Sequence, residues 1–100
     1  MPKVDNRNLH RAAEAGHFDI CRLIMDKVEE KIPKNNNGDT PLHWAAERGY
    51  LNICRLIMNQ VEERNPKNDQ GVTPLDMAAM NGHSDIYQLI KSRIEDQENK

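Results

Sequence analysis

Histidine and cysteine are the side chains of this sequence that could hold a metal ion, and there are few of them. Four histidines and two cysteines occur among 100 residues. Structural zinc sites usually contain pairs such as Cys-x2-Cys or His-x3-His, because one ion must reach both ligands. Neither pair occurs here; His10 and His43 lie 33 positions apart, and His17 and His83 each follow a glycine. We therefore predict structural histidines, no metal site and no cofactor.

The two cysteines could in principle form a disulfide. Cys21 and Cys54 are also 33 positions apart, which places them at equivalent points of neighbouring structural units. Stacked helices lie roughly 8–10 Å apart, whereas a disulfide needs Cα atoms within about 7 Å. We predict two buried, reduced thiols that fill small apolar spaces beside Ile20 and Ile53, which favours a reducing compartment.

Acidic pairs could act as a general acid and base, but their positions argue against catalysis. They recur at the 33-residue spacing, as solvated helix ends would: Glu29-Glu30, Glu62-Glu63 and Glu95-Asp96. The sequence contains no Gly-x-Ser-x-Gly elbow, no phosphate-binding glycine loop and no His-Glu-x-x-His motif. We predict that the protein is not an enzyme.

Charge and hydropathy exclude several classes of partner. The chain has 14 basic and 16 acidic residues, a pI near 6.1 and a mean hydropathy of -0.87. Proteins that follow a phosphate backbone usually carry a basic patch or a high pI, so we expect neither nucleic acid nor anionic membrane as a partner. No apolar run approaches the roughly 20 residues that span a bilayer, and the first residues lack the apolar core of a secretory signal. We expect a soluble, cytoplasmic or otherwise intracellular protein.

A 33-residue repeat must position all of these side chains. Three segments align at that offset: Leu9-His10-Arg11-Ala12-Ala13, Leu42-His43-Trp44-Ala45-Ala46 and Leu75-Asp76-Met77-Ala78-Ala79. Residues 7–34 and 40–67 are identical at 17 of 28 positions, and residues 40–67 and 73–100 at 11 of 28. Fixed-period similarity of this kind indicates a stack of structural units, each packing on its neighbours.

Each unit is predicted to contain two short helices. Thr40-Pro41 and Thr73-Pro74 place a capping hydroxyl before a proline at the first helical position. A glycine then ends the first helix in each unit, at Gly16, Gly49 and Gly82. The second helix carries an apolar stripe, which in the first unit consists of Ile20, Leu23, Ile24 and Val28. Pro33 and Pro66 are expected to stop that helix, and Asn-rich turns to lead into the next unit.

The period and the segment Thr-Pro-Leu-His-Trp-Ala-Ala, followed by Gly-Tyr-Leu-Asn-Ile, resemble the ankyrin repeat. The resemblance implies an all-α solenoid of three helix–turn–helix units with β-turn fingers. The units would span about residues 2–34, 35–67 and 68–100 of a single domain. The family usually has glycine after its second helix, where this chain has Val28, Val61 and Ile94. Since β-branched residues resist the left-handed conformation, we predict that the second helices continue toward Pro33 and Pro66.

The outer units are predicted to act as caps. Arg11 stands where the other units have Trp44 and Met77, and Lys91 stands where the first two have Met25 and Met58. Such exchanges suit the two faces of a stack that have no neighbouring repeat. In the last unit, Thr73 and Asp76 can cap their helix reciprocally. We expect the three repeats to be a complete set.

On the pattern of the family, fingers and first helices line a concave surface that binds a protein partner. The corresponding residues are Asn36, Asn37, Asp39, Asp69, Gln70 and Val72 on the fingers, and Glu47, Arg48, Met80 and Asn81 on the first helices. Met80 is the most distinctive, because Glu14 and Glu47 occupy its place in the other units and an exposed methionine suits an adaptable binding surface. The concave surface of a monomeric, non-catalytic interaction module is thus the first hypothesis. The alternative is a designed or reconstructed scaffold with no natural partner.

Two residues carry open alternatives. Trp44, the only tryptophan, could be a binding hot spot or could pack between repeats, where the family has leucine. Asn65 matches the asparagine that some ankyrin proteins present to an asparaginyl hydroxylase, so the resemblance implies a possible modification there.

Overall fold

The computed structural model describes residues 6–27, 33–61 and 65–98. Within these ranges the chain forms helices and no strand, which confirms the predicted all-α fold. The helices are α1 (Asn6–Ala15), α2 (Phe18–Lys27), α3 (Pro41–Arg48), α4 (Leu51–Met58), α5 (Pro74–Met80) and α6 (Ser84–Glu98). Consecutive helices pair as α1–α2, α3–α4 and α5–α6, and the pairs stack into an elongated body of 43 × 28 × 24 Å.

In the second and third units, the first helix begins at a threonine cap, as the sequence predicts. The Thr73 Oγ1 accepts a hydrogen bond from the Asp76 N–H at 3.2 Å, and the Asp76 carboxylate accepts one from the Thr73 N–H at 3.1 Å. Thr40 and His43 form the same reciprocal pair, in which the imidazole replaces the carboxylate. This second pair was not predicted. Both pairs satisfy backbone donors that no helical carbonyl can reach.

The first helix ends at a glycine, and at Gly49 two physical requirements coincide. Gly49 has φ +86°, a left-handed conformation that is costly for residues with a Cβ. A Cβ at this position would also lie 2.7 Å from the His83 ring of the next unit. Gly16 and Gly82 also have positive φ; α1 ends directly before Gly16 as predicted, whereas α5 ends at Met80 and Asn81 caps it one residue before Gly82.

The core is a continuous layer between units. α3 packs between α1 and α5, and α4 packs between α2 and α6. The middle unit is therefore covered on both sides, and Ile53, Cys54, Ile57 and Met58 are at most 2 % exposed. Each large apolar side chain removed from water in this way contributes about 1.5–3 kcal/mol.

The prediction for the end of the second helix is wrong at α4. This helix ends at Met58, so Val61 lies outside it and Pro66 does not terminate it. The Asn59 N–H donates to the Arg55 and Ile57 carbonyls, and the Gln60 N–H donates to the Ile57 carbonyl. Because the chain leaves the helix through this tightened turn, it needs no left-handed residue.

The same prediction has different outcomes in the outer units. In the third unit, α6 continues through Ile94 to Glu98, as expected. The corresponding segment of the first unit, Val28 to Ile32, lies outside the described residues.

The end faces of the stack only partly match the predicted caps. Arg11 and Lys91 are both exposed, as expected. However, Ile20 is 47 % exposed and Leu23 is 58 % exposed, so two members of the predicted apolar stripe are not buried. The equivalents of Ile20 in the other units, Ile53 and Ile86, are buried because a preceding unit covers them, and the equivalents of Leu23, Leu56 and Leu89, are half-buried. The N-terminal end face is therefore not the polar surface that we expected.

Candidate functional site

The fingers are short turns that asparagine side chains hold in place. We define the first finger as residues 35–39 and the second as residues 68–72. The Asn35 Oδ1 accepts hydrogen bonds from the backbone N–H groups of Asn37 (2.8 Å) and Asp39 (3.0 Å). The Asn68 Oδ1 accepts from the N–H groups of Gln70 and Val72, both at 2.9 Å. Because the same contacts recur, each finger has a defined shape that does not depend on a ligand.

The two fingers are also joined to each other. The Asp69 N–H donates to the Asn37 carbonyl at 3.0 Å. The Asn68 amide donates to the Asp39 carboxylate at 2.8 Å. Asp39 was predicted as a binding residue, but its carboxylate is partly engaged in this contact.

Histidines connect the first helices to the fingers. The His10 Nε2 lies 2.9 Å from the Asp39 carbonyl, and the His43 Nε2 lies 2.8 Å from the Val72 carbonyl. Because the Thr40 N–H donates to the His43 Nδ1 at 3.0 Å, the proton of a neutral His43 ring belongs on Nε2, where it reaches Val72. His83 makes a similar contact at the other end of the helices, where its Nε2 lies 3.0 Å from the Glu47 carbonyl. These contacts support a structural role for His10, His43 and His83.

We expect acid to destabilise the fold through His43. Burial lowers the pKa of His43 below its usual value, and protonation would remove the acceptor that the Thr40 N–H uses. The unfolded chain takes up this proton near pH 6.5. The stability from His43 is therefore fully present above about pH 6.5 and is lost as the pH falls from there to the folded pKa. Urea unfolding between about pH 7.5 and pH 5 should show a larger loss for the unmodified chain than for His43→Gln. Equal losses would contradict this role.

The two cysteines are unsuited to act as nucleophiles. Cys21 and Cys54 are free and buried, as predicted. Burial raises the pKa of Cys21 to about 11 and that of Cys54 to about 12. Since the thiolate is the nucleophile, both groups are unreactive thiols near neutral pH.

The predicted binding residues of the fingers lie at or near the surface. Asn36, Asn37, Asp69 and Gln70 are exposed, whereas Asp39 and Val72 are half-buried. The finger tips therefore offer mainly amide and carboxylate groups, with one partly exposed valine beside them.

The predicted residues of the first helices differ in their surroundings. Arg48 donates to the Glu14 carboxylate of the preceding unit at 3.1 Å, a contact that was not predicted. Glu47 is half-buried, and the Asn81 amide donates to the Met77 carbonyl at 2.8 Å. Met80, in contrast, is 73 % exposed. The charged Glu14–Arg48 pair thus joins α1 to α3, whereas α5 exposes an apolar side chain at its end.

Trp44 and Asn65 are less exposed than Met80. Trp44 is half-buried and packs against the hydrophobic core, which favours the packing alternative. The Asn65 Oδ1 accepts from the Leu75 N–H at 3.3 Å, so this amide helps to fix the approach to α5. Its modification stays a prediction.

Metal-binding clusters and membrane-spanning helices are not found in the part of the chain that the structure describes. There, no group of three or more His, Cys, Asp or Glu side chains could hold a metal ion. Over the same residues, no helix has the length and apolar character required to cross a membrane.

Comparison with protein families finds one match. The family model for ankyrin repeats matches residues 9–100 in three copies, in agreement with the three helix pairs. No curated protein matches the chain.

Proposed function

This chain belongs to the ankyrin-repeat family, and we propose that it binds a protein partner on the surface formed by its two fingers and by the exposed residues of α3 and α5. Ankyrin repeats are generally protein–protein interaction modules and are typically non-catalytic. The finger residues and Glu47, Arg48, Met80 and Asn81 are the contacts that we assign to the partner.

Met80 is the observation that carries this proposal. It is the most exposed large apolar side chain among the described residues, although the equivalent positions in the other units carry Glu14 and Glu47. A glutamate would suit solvent better, and nothing in the packing of α5 requires an exposed thioether. A flexible apolar side chain at the surface is well suited to fill an irregular hollow on a partner.

The rigidity of the fingers supports the same role. Asn35 and Asn68 fix the turns internally, and the Asp69–Asn37 backbone contact fixes one finger against the other. A partner would therefore meet a surface that is already ordered. Binding to such a surface avoids most of the entropy that is lost when loops must become ordered.

The chemistry of this surface indicates the kind of partner it fits. Met80 provides an apolar contact at the end of α5, whereas Asn36, Asn37 and Gln70 provide amides at the finger tips. A folded protein surface with an apolar hollow and a separate set of hydrogen-bonding groups would match both parts. Protein interfaces usually combine apolar and polar contacts.

Met80→Glu is expected to abolish capture of the partner. The substitution places in α5 the residue found in α1 and α3, so the fold should tolerate it, but it puts a charge at the proposed apolar contact. Affinity capture followed by mass spectrometry measures the effect, and circular dichroism checks that the helices are retained.

Ala79→Glu is the matched control. Ala79 is the exposed neighbour of Met80, but its equivalents Ala13 and Ala46 are buried between units, so it faces the C-terminal end of the stack. The control adds the same charge to the same helix and should leave capture intact. Equal capture by both variants would contradict the proposal. If the unmodified chain captures no protein reproducibly, the alternative of a scaffold without a natural partner is favoured.

A further inference from the structure

The N-terminal end face carries an apolar surface that the proposed function does not use. It is formed by α1 and α2, where Ile20 is 47 % exposed and Leu23 is 58 % exposed. Ile53, which is equivalent to Ile20, is 2 % exposed because the first unit covers it, and Ile86 is 0 % exposed. The end face therefore has the composition of an interface between units.

This surface is a shallow, open groove. Its volume is about 560 Å³, and it lies between α1 and α2. Ala12, Ala15, Ile20 and Leu23 contribute apolar side chains to its lining, which also includes Asn8, Arg11 and His17. Apolar grooves of this kind accept a helix that presents a complementary apolar side chain.

The exposed side of α2 carries charges that complement the same side of α2 in a second copy. Asp19, Leu23 and Lys27 are spaced four residues apart, which places them on one line along the helix, and all three are exposed. The line has a negative charge at its start, an apolar centre and a positive charge at its end. If two such helices met in antiparallel orientation about Leu23, each Asp19 would lie opposite a Lys27 of the other copy, and the two leucines would meet at the centre.

The opposite end of the stack is a poor occupant for this groove. Inside the stack, Cys21 and Met25 form the surface on which the next unit packs, but the last unit has Tyr87 and Lys91 at these positions. The Lys91 amine lies 5.9 Å from the centre of the Tyr87 ring and is exposed. Head-to-tail stacking would remove this charge from water at a position where the inner units have methionine, which is costly.

We propose that the N-terminal end face is a symmetric interface through which two copies of this chain associate, with their α2 helices antiparallel. This proposal differs from the monomer that was expected from the sequence. The contact involves only two short helices from each copy, which places it at the small end of the range that stable complexes bury, roughly 1,200–2,000 Å², so we expect a weak and reversible association. The pair would present two finger surfaces and could bind a multivalent partner more tightly than a single copy.

Sedimentation equilibrium of the full chain tests the interface. The average mass should rise with concentration from the 11.5 kDa of one chain toward twice that value. Leu23→Glu should abolish the rise, because it places two carboxylates at the centre of the contact. Lys91→Met, at the opposite end, should leave the association unchanged.

Charge exchange identifies the orientation of the helices. Asp19→Lys and Lys27→Asp should each weaken self-association, because each creates like charges at both ends of the contact. An equimolar mixture of the two variants should associate better than either alone, since every pair is then opposite in charge. Three results would overturn the proposal: a mass that stays at the monomer value, a mixture that associates no better than its components, or an association that Lys91→Met strengthens and Leu23→Glu leaves unchanged.

Discussion

Gly38→Ala is expected to destabilise the protein about two to three times as much as the same substitution at Gly71. Both glycines occupy the same turn of their finger, and both have φ +78°. The left-handed conformation should therefore make either alanine unfavourable by about 1–2 kcal/mol. At Gly38, a Cβ would in addition lie 2.5 Å from the Asp69 Oδ1 and 2.8 Å from the Asp69 backbone nitrogen.

The backbone contact decides the size of the effect. A side-chain oxygen can rotate away, but the Asp69 nitrogen donates to the Asn37 carbonyl and cannot move without separating the fingers. Overpacking of this kind adds about 1–3 kcal/mol. A Cβ added at Gly71 would have no atom within 4 Å, so Gly71→Ala measures the conformational effect alone. Equal free energies of unfolding for the two variants in urea would show that the fingers are not in contact.

Among substitutions that give one unit the residue found at the same position of another, Met58→Lys is expected to lower the free energy of unfolding most. Met58 is 0 % exposed between the second and third units, so the substitution removes apolar burial of about 1.5–3 kcal/mol. It also takes an ammonium group out of water, which adds a further penalty. A total loss of at least about 3 kcal/mol would be a large part of the stability of a small domain.

Lys91→Met is the matched exchange at the equivalent position of the last unit. Lys91 is exposed, and the change in unfolding free energy should stay within about 0.5 kcal/mol. Urea unfolding followed by circular dichroism measures both variants. If Met58→Lys were as mild as Lys91→Met, the units would not pack through this position.

The fold was predictable because its determinants are local and recur. The Thr73–Asp76 cap follows from residue types at a fixed spacing, and Gly49 follows from the conformation that ends a helix. The predicted end of α4 was wrong because the sequence argument assumed that only a left-handed residue could end the helix. Asn59 and Gln60 instead end it through a tightened turn.

Exposure at the ends of the stack was harder to predict, since it depends on neighbours and not on residue type. Ile20 and Ile53 are identical in the sequence pattern but differ from 47 % to 2 % in exposure. Arg11 alone indicated a polar end face, whereas Ile20 and Leu23 on the same face are apolar and exposed. The Glu14–Arg48 pair was missed because its partners lie 34 positions apart, although their near-equivalence in successive units could have indicated it.

Residues of the candidate site could be predicted where they depart from the residue type found at the equivalent positions of the other units. Met80 departs from the glutamates at equivalent positions, and it is exposed as that departure indicates. Asp39 was less predictable, because its role depends on a contact with Asn68 across two fingers. The identity of the partner is not encoded in any of these residues.

The proposed binding surface is tested most directly by an amide chemical-shift map of the isotopically labelled chain with a protein that it captures. The largest changes are expected at Asn36, Asn37, Asp69, Gln70, Met80 and Asn81. Arg55 and Gln88, which are exposed on the second helices, should change little. Changes concentrated at Arg55, Gln88 and their neighbours, with the fingers and Met80 unaffected, would contradict the proposed surface.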